Sequence, residues 1–139
     1  GVHFLGWLTQ AECAERLRSS DGLLLSSVYE CGGAVVLEAM ASGLPVVATD
    51  WGGPRDYLDT TCGFLIPPTS HPAMIAGFAD AMNRLTADPE LRGRLGRAGR
   101  DRVERFFDWE SKVDEMMGVY RRVIEKSRAG ACALEAAES

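Results

Sequence analysis

Short unbroken apolar runs, separated by amphipathic stretches, make up the first half of the chain, and the two patterns predict strands alternating with helices. Val2, Phe4 and Leu5 suggest a short strand over residues 2–5. Thr9-Gln-Ala-Glu12 then has the form of a capping box, in which each end of the motif satisfies an orphan amide of the other, so a helix is expected over 10–18. The run at 22–25 lacks polar alternation, as suits a strand buried on both faces, and 45–49 repeats the pattern, with Pro45 tolerable as a first residue. Between them, 34–42 predicts a helix closed by Gly43. A helical turn over 54–58 leads to a third strand over 62–66, stopped by Pro67 and Pro68.

From residue 72 the period becomes helical. Helices are expected over 72–85, with Met74, Ile75, Phe78, Ala79 and Met82 on one side; over 89–106; and over 108–126, with Val113, Met116, Met117, Tyr120 and Ile124 as a stripe. Pro72 and Pro89 suit first-turn positions and Asp108 an N-cap. Strands and helices in alternation argue an α/β fold: an open parallel sheet of doubly wound type, followed by a helical carboxyl-terminal appendix. Residues 1–126 are expected to form one domain and the Ala-rich stretch 127–139 a mobile tail. The chain begins Gly1-Val2 and enters an apolar run at once, so we expect a piece of a longer protein.

Composition narrows the classes. With 139 residues, 46% hydrophobic and 25% charged, the chain has the make-up of one globular domain with a core. A net charge of −5 argues against a general nucleic-acid binder, which needs a basic surface to displace counterions from phosphate. No apolar run approaches the ~18 residues of a membrane span, and the first residues lack a basic start and cleavage site, so a cytoplasmic location is expected. Cys13, Cys31, Cys62 and Cys132 have neither zinc-site spacing nor the density of a disulfide framework. Reduced thiols and no metal are the expectation.

In open α/β sheets ligands bind beyond the carboxyl ends of the strands, which here means the loops after residues 25 and 49. Both loops contain Gly-Gly. Gly32 and Gly33 precede a helix whose first amides, near Ala34 and Val35, can donate to a phosphate or diphosphate. Glu30 lies in the loop and Glu38 about one turn into the helix, so both can face one crevice. Amide donors for phosphate and carboxylates for hydroxyls together suit a nucleotide-linked sugar. In the second loop Thr49, Trp51, Gly52 and Gly53 are candidate pocket lining. The same residues also fit a plainer arrangement, in which Glu30 caps the helix and Glu38 is solvated.

The stretch Glu30-Cys-Gly-Gly-Ala-Val-Val-Leu-Glu38, continuing Ala39-Met-Ala-Ser-Gly-Leu-Pro-Val-Val-Ala-Thr-Asp50, resembles the E-x7-E segment of GT4-type retaining glycosyltransferases of GT-B fold. Phe4-Leu-Gly-Trp7 is similar to that family's FLGW strand, Gly63-Phe-Leu-Ile-Pro-Pro68 to its GLLVPP, and Phe107-Asp-Trp-Glu110 to its FSWE helix start. The resemblance spans residues 2–124. It implies the carboxyl-terminal half of a Rossmann-like donor-binding domain, in an enzyme that moves a sugar from a nucleotide-sugar to an acceptor with retention of configuration and without a metal or cofactor. Glu30 and the amides of Cys31, Gly32, Gly33 and Ala34 would then meet donor sugar and phosphates, and Glu38 the ribose hydroxyls. No catalytic nucleophile is assigned. The family commonly has Gly-Phe-Gly after the first acid, where Cys31, Gly32 and Gly33 stand here, which bears on loop flexibility and donor preference. The acceptor domain and an upstream basic pair for the diphosphate lie outside the chain. It is therefore expected to bind donor weakly, to transfer nothing alone, to need an amino-terminal acceptor domain, and to self-associate through an interface left bare. A non-catalytic nucleotide-binding or interaction module of the same fold is the alternative.

Arg92, Arg94, Arg97, Arg100, Arg102 and Arg105 crowd one predicted helix and could rest against anionic lipid, giving the intact protein a peripheral membrane contact. Asp88, Glu90, Asp101 and Glu104 dilute them and favour a solvated helix laced with ion pairs. His3 and His71 are isolated, and Cys31 has no local base. Trp109 and the Met116-Met117-Tyr120 stripe suit a core or an interface to the absent domain.

Overall fold

The computed structural model describes the backbone of residues 1–137 and the side chains of residues 1–127. It divides into two compact units, Gly1–Glu104 and Arg105–Ser139. The first contains α1 (Gln10–Arg18), β1 (Leu23–Leu25), α2 (Ala34–Ala41), β2 (Val46–Thr49), α3 (Gly53–Tyr57), β3 (Gly63–Ile66), α4 (His71–Ala87) and all but the end of α5 (Pro89–Phe106). The three strands form one parallel sheet in the order β1-β2-β3, with Leu23 opposite Val46 and Val46 opposite Gly63.

β2 is buried along its whole length because helices cover both faces of the sheet. Side chains alternate across a strand, so Val46 and Ala48 pack with Val36, Ala39 and Met40 of α2, whereas Val47 packs with Phe78, Ala81 and Leu85 of α4. Each large side chain removed from water in this way contributes roughly 1.5–3 kcal/mol. This is the α/β arrangement with helices on both faces that the sequence pattern predicts.

Local chemistry sets the helix ends. Thr9 and Glu12 form the expected capping box, with the Thr9 N–H donating to Glu12 Oε2 at 2.7 Å and the Glu12 N–H to Thr9 Oγ1 at 3.4 Å. Ser70 caps α4, with Pro72 in its first turn. In the second unit, α6 (Trp109–Ala137) starts where Asp108 Oδ2 accepts from the Ser111 N–H at 3.1 Å. Its backbone stays helical past residue 126, the end expected from the sequence. The tail predicted over 127–139 lies, from residue 128 on, outside the residues whose side chains are described.

Three expectations are corrected. The run at 22–25, expected to be buried on both faces, forms β1 with Leu24 47% exposed and Leu23 and Leu25 half-buried. Residues 2–5 form no strand: among the described residues β1 pairs with β2 alone, and without a ladder on its other side Val2 and Phe4 stand 83% and 96% exposed. An apolar run becomes a strand only where a neighbour offers backbone partners. α4 also buries only part of the expected face: Phe78 is buried and Met74 packs against its cluster as expected, but Ala81 and Leu85 turn inward and Ile75 and Met82 outward. The helix comes closest to the sheet where its side chains are smallest: a Cβ on Gly77 would lie 2.8 Å from Ile66 Cγ2.

α5 is fixed to the first unit by close backbone approach and by arginines. Gly96 lies against the carbonyl of Gly43 with no room for a Cβ. Arg92 Nη1 donates to the Leu85 carbonyl at the end of α4 at 2.6 Å. Arg102 Nε donates to the Tyr57 carbonyl at 2.6 Å and its Nη1 to Asp59 Oδ2 at 2.8 Å, closing the end of α3. Arg100 pairs with Glu104. The arginine row thus resolves largely into helix ties and ion pairs.

Two outcomes follow from this packing. Gly96→Ala should lower unfolding stability by about 1–3 kcal/mol, because a methyl meets backbone. On the same helix, Gly93→Ala should raise it by about 0.5–1 kcal/mol, because a Cβ there meets only the movable end of Arg97. Urea unfolding of the pair checks both signs. The Asp59 carboxyl is held below its ordinary range, mainly by the Thr61 hydroxyl and further by the Thr61 amide and Arg102. A lowered folded-state pKa means stability that is present above the unfolded value, about 4, and lost as pH falls through the folded one. Asp59→Asn should therefore flatten the acid limb of stability measured from pH 6 down to pH 2, while an unchanged slope would remove Asp59 from the account.

Candidate functional site

Because β1 and β2 are parallel neighbours, the loops leaving their carboxyl ends meet. The first connects β1 to α2 and the second β2 to α3. The Gly53 N–H donates to the Cys31 carbonyl at 3.0 Å. A Cβ on Gly52 would overlap the Glu30 carbonyl oxygen, and one on Gly53 the Gly32 carbonyl oxygen. Gly52 also has φ +58° and ψ −144°, a conformation that side chains disfavour. The second glycine pair therefore holds the loops backbone to backbone.

The start of α2 is built on Gly33, whose φ of +61° turns the chain into the helix. Glu30 Oε1 accepts from the Gly33 N–H at 2.8 Å. The Val36 N–H bonds back to the Gly33 carbonyl at 2.9 Å. Among the described residues the amides of Ala34 and Val35 have no protein partner, as expected for the first turn of a helix. A positive helix end with two orphan donors therefore lies at the junction of the loops.

The second loop is pinned from outside by Arg55, whose Nε donates to Asp50 Oδ1 at 2.6 Å and whose Nη2 donates to the Asp50 carbonyl at 3.2 Å. The hydrogen bond from Arg55 holds the Asp50 carboxyl below its ordinary range. This pair was not among the sequence candidates, and its only signal is an acid and a base five residues apart across a strand-to-helix turn.

The candidates thus separate. Glu30, Cys31, Gly32, Gly33 and Ala34 form one continuous loop and helix start, with Cys31 and Ala34 exposed and Gly33 buried. Glu38 is exposed on α2. Trp51 and Gly52 face solvent beside them. Thr49 and Gly53, the other candidates for pocket lining, are buried. Thr49 is 1% exposed, with its hydroxyl 3.5 Å from the Leu25 carbonyl, and Gly53 serves the contact between loops. The described residues contain no cluster of three or more His, Cys, Asp or Glu that could hold a metal, and no helix long and apolar enough to cross a membrane.

A family model described as glycosyl transferases group 1 matches residues 1–102. Alpha-maltose-1-phosphate synthase of Mycobacterium tuberculosis is 38% identical over 119 residues, which cover 84% of this chain and 31% of that protein. The MMP alpha-(1->4)-mannosyltransferase of Mycolicibacterium hassiacum is 32% identical over 133 residues, covering 94% of this chain and 31% of that one. Among solved structures, sucrose-phosphate synthase from Thermosynechococcus elongatus superposes with a TM-score of 0.76 at 33% identity, covering 89% of this chain and 30% of that chain. The chain spans about a third of the length of the curated relatives it matches.

The Glu30 contact has its own test. Glu30→Ala should cost about 1 kcal/mol of unfolding stability through loss of the cap on Gly33, while Glu30→Gln, which keeps an acceptor, should cost clearly less. Equal losses in the two variants would show that the cap does not matter.

Proposed function

The chain belongs to the group 1 glycosyl transferases, and we propose that it forms part of the donor-binding domain of a retaining enzyme that moves a hexosyl group from a nucleotide-sugar to an acceptor. The observation that carries this reading is the junction of the two glycine loops, where two amides without a partner among the described residues follow the Gly33 held by Glu30, at the start of the helix that carries Glu38. The amides of Ala34 and Val35 donate to anionic oxygens of the donor diphosphate, and as the sugar departs they meet the charge that develops on the leaving group. This requires no metal from the chain. Glu38, exposed on α2, accepts from the ribose hydroxyls. Glu30 does two things at once: Oε1 caps Gly33, and the second carboxylate oxygen accepts from a hydroxyl of the donor sugar.

The hexosyl class is supported by the relatives, whose names describe a maltose-1-phosphate synthase and a mannosyltransferase. Transfer itself is a property of the whole protein, because the acceptor must be brought to the anomeric carbon by a part of the enzyme beyond this chain. The chain alone binds donor and leaves it intact.

Titration with UDP, GDP and ADP by calorimetry tests the reading. One of the three should bind, and Glu38→Ala should weaken it about tenfold, equivalent to about 1.4 kcal/mol. Identical affinity in variant and parent would remove Glu38 from the site.

A further inference from the structure

A second concave site lies at the other end of the sheet from the glycine loops. Thr60 and Thr61 precede β3, so they stand at the amino ends of the parallel strands. α4 leaves the carboxyl end of β3 and runs back, which brings Arg84 in its last turn to the same end. With Arg94 of α5 these residues line a groove of about 430 Å3, floored by Leu91, Leu95 and Ala98.

Most other arginines of this region are engaged elsewhere, and Arg97, exposed and likewise without a hydrogen bond or ion pair among the described residues, does not line the groove. Arg92 and Arg102 are used on helix-end carbonyls and Arg100 on Glu104. Arg84 has its guanidinium 4.6 Å from the centre of the Phe64 ring, and its one carboxylate, Asp80, stands 3.9 Å away, a long contact between exposed groups. Arg94 is exposed and has no hydrogen bond or ion pair among the described residues. The nearest acid on the loop, Asp59, is already engaged by Arg102 and Thr61. The chain as a whole carries a charge of −5, so one guanidinium without a partner among the described residues and one weakly paired in the same groove are a local feature and no part of a general basic surface.

We propose that this groove binds a phosphorylated small molecule of sugar-phosphate size, separate from the donor site. The guanidinium forks of Arg84 and Arg94 take the phosphate oxygens, and stacking on Phe64 holds one fork in place before the ligand arrives. The Thr60 hydroxyl and the apolar floor receive the rest of the molecule. A phosphate here can belong to a soluble metabolite or to a lipid headgroup, and the test separates the sources.

The 139-residue chain is titrated at fixed ionic strength with inorganic phosphate, with glucose 6-phosphate and with phosphatidylglycerol vesicles, while the amide signals of Thr60 and Thr61 are followed by NMR. Glucose 6-phosphate should give saturable shifts at these amides, at lower concentration than inorganic phosphate. Arg94→Gln should weaken this binding at least tenfold, and Arg84→Gln likewise, while Arg97→Gln, on the same helix but outside the groove, should leave it unchanged. Calorimetric binding of the nucleoside diphosphate should be the same in all three, which keeps this site distinct from the donor site. Shifts that do not saturate, or that fall equally in Arg94→Gln and Arg97→Gln, would overturn the proposal. So would binding to vesicles without saturable binding of glucose 6-phosphate. Thermal melts of the variants within a few degrees of the parent establish that lost binding is not lost folding.

Discussion

The candidate site depends on one contact between two stretches of backbone. The Gly53 N–H meets the Cys31 carbonyl, and the carbonyls of Glu30 and Gly32 press on Gly52 and Gly53 where any side chain would collide. Such an approach is available only to glycine, and it converts two separate loops into one surface. The parallel pairing of β1 with β2 brings those loops side by side, and their locking sets where α2 begins. The orphan amides of α2, the Glu30 cap and the exposed Trp51 all take their places from that junction.

The rest of the first unit supports it. β2 carries the second loop and is buried on both faces, so its end cannot drift without opening both clusters of the core. α5 reinforces the amino ends of β2 and β3 through Gly96 on Gly43 and Arg102 on the end of α3. α3 is the helix that the second loop enters, so the Arg102 tie and the Asp50–Arg55 pair hold its two ends. This is a preorganised support for amide donors, which stabilise charge best when they need not move to meet it.

Much of this was legible in the sequence because continuous apolar runs mark the strands of a parallel sheet, although burial on both faces holds for β2 and not for β1, where Leu24 is 47% exposed. Continuous apolar runs at β1 and β2, a capping box at Thr9 and proline stops after β3 each act through local chemistry, and each appears where the pattern puts it. What depended on distant partners was not legible. Residues 2–5 have the composition of a strand but no ladder to join, and α4 buries Phe78, Ala81 and Leu85 while Ile75 and Met82 stay exposed. The glycines at 52 and 53 were recognisable as special. Their reason, contact with a loop about twenty residues earlier, was not, since sequence gives spacing and no proximity. The arginines of α5 were visible as a row, but only the fold separates those that tie helix ends from Arg94, which lines a groove without a hydrogen bond or ion pair among the described residues.

In the function proposed here the two loops act as one surface for a nucleotide-sugar donor. Hydrogen–deuterium exchange with and without the nucleoside diphosphate that binds tests it most directly. Saturating ligand should slow exchange together in residues 30–35 and 51–55, with the amides of Ala34 and Val35 showing the largest change. Protection confined to one loop, or absent from both while the ligand is bound, would contradict the claim.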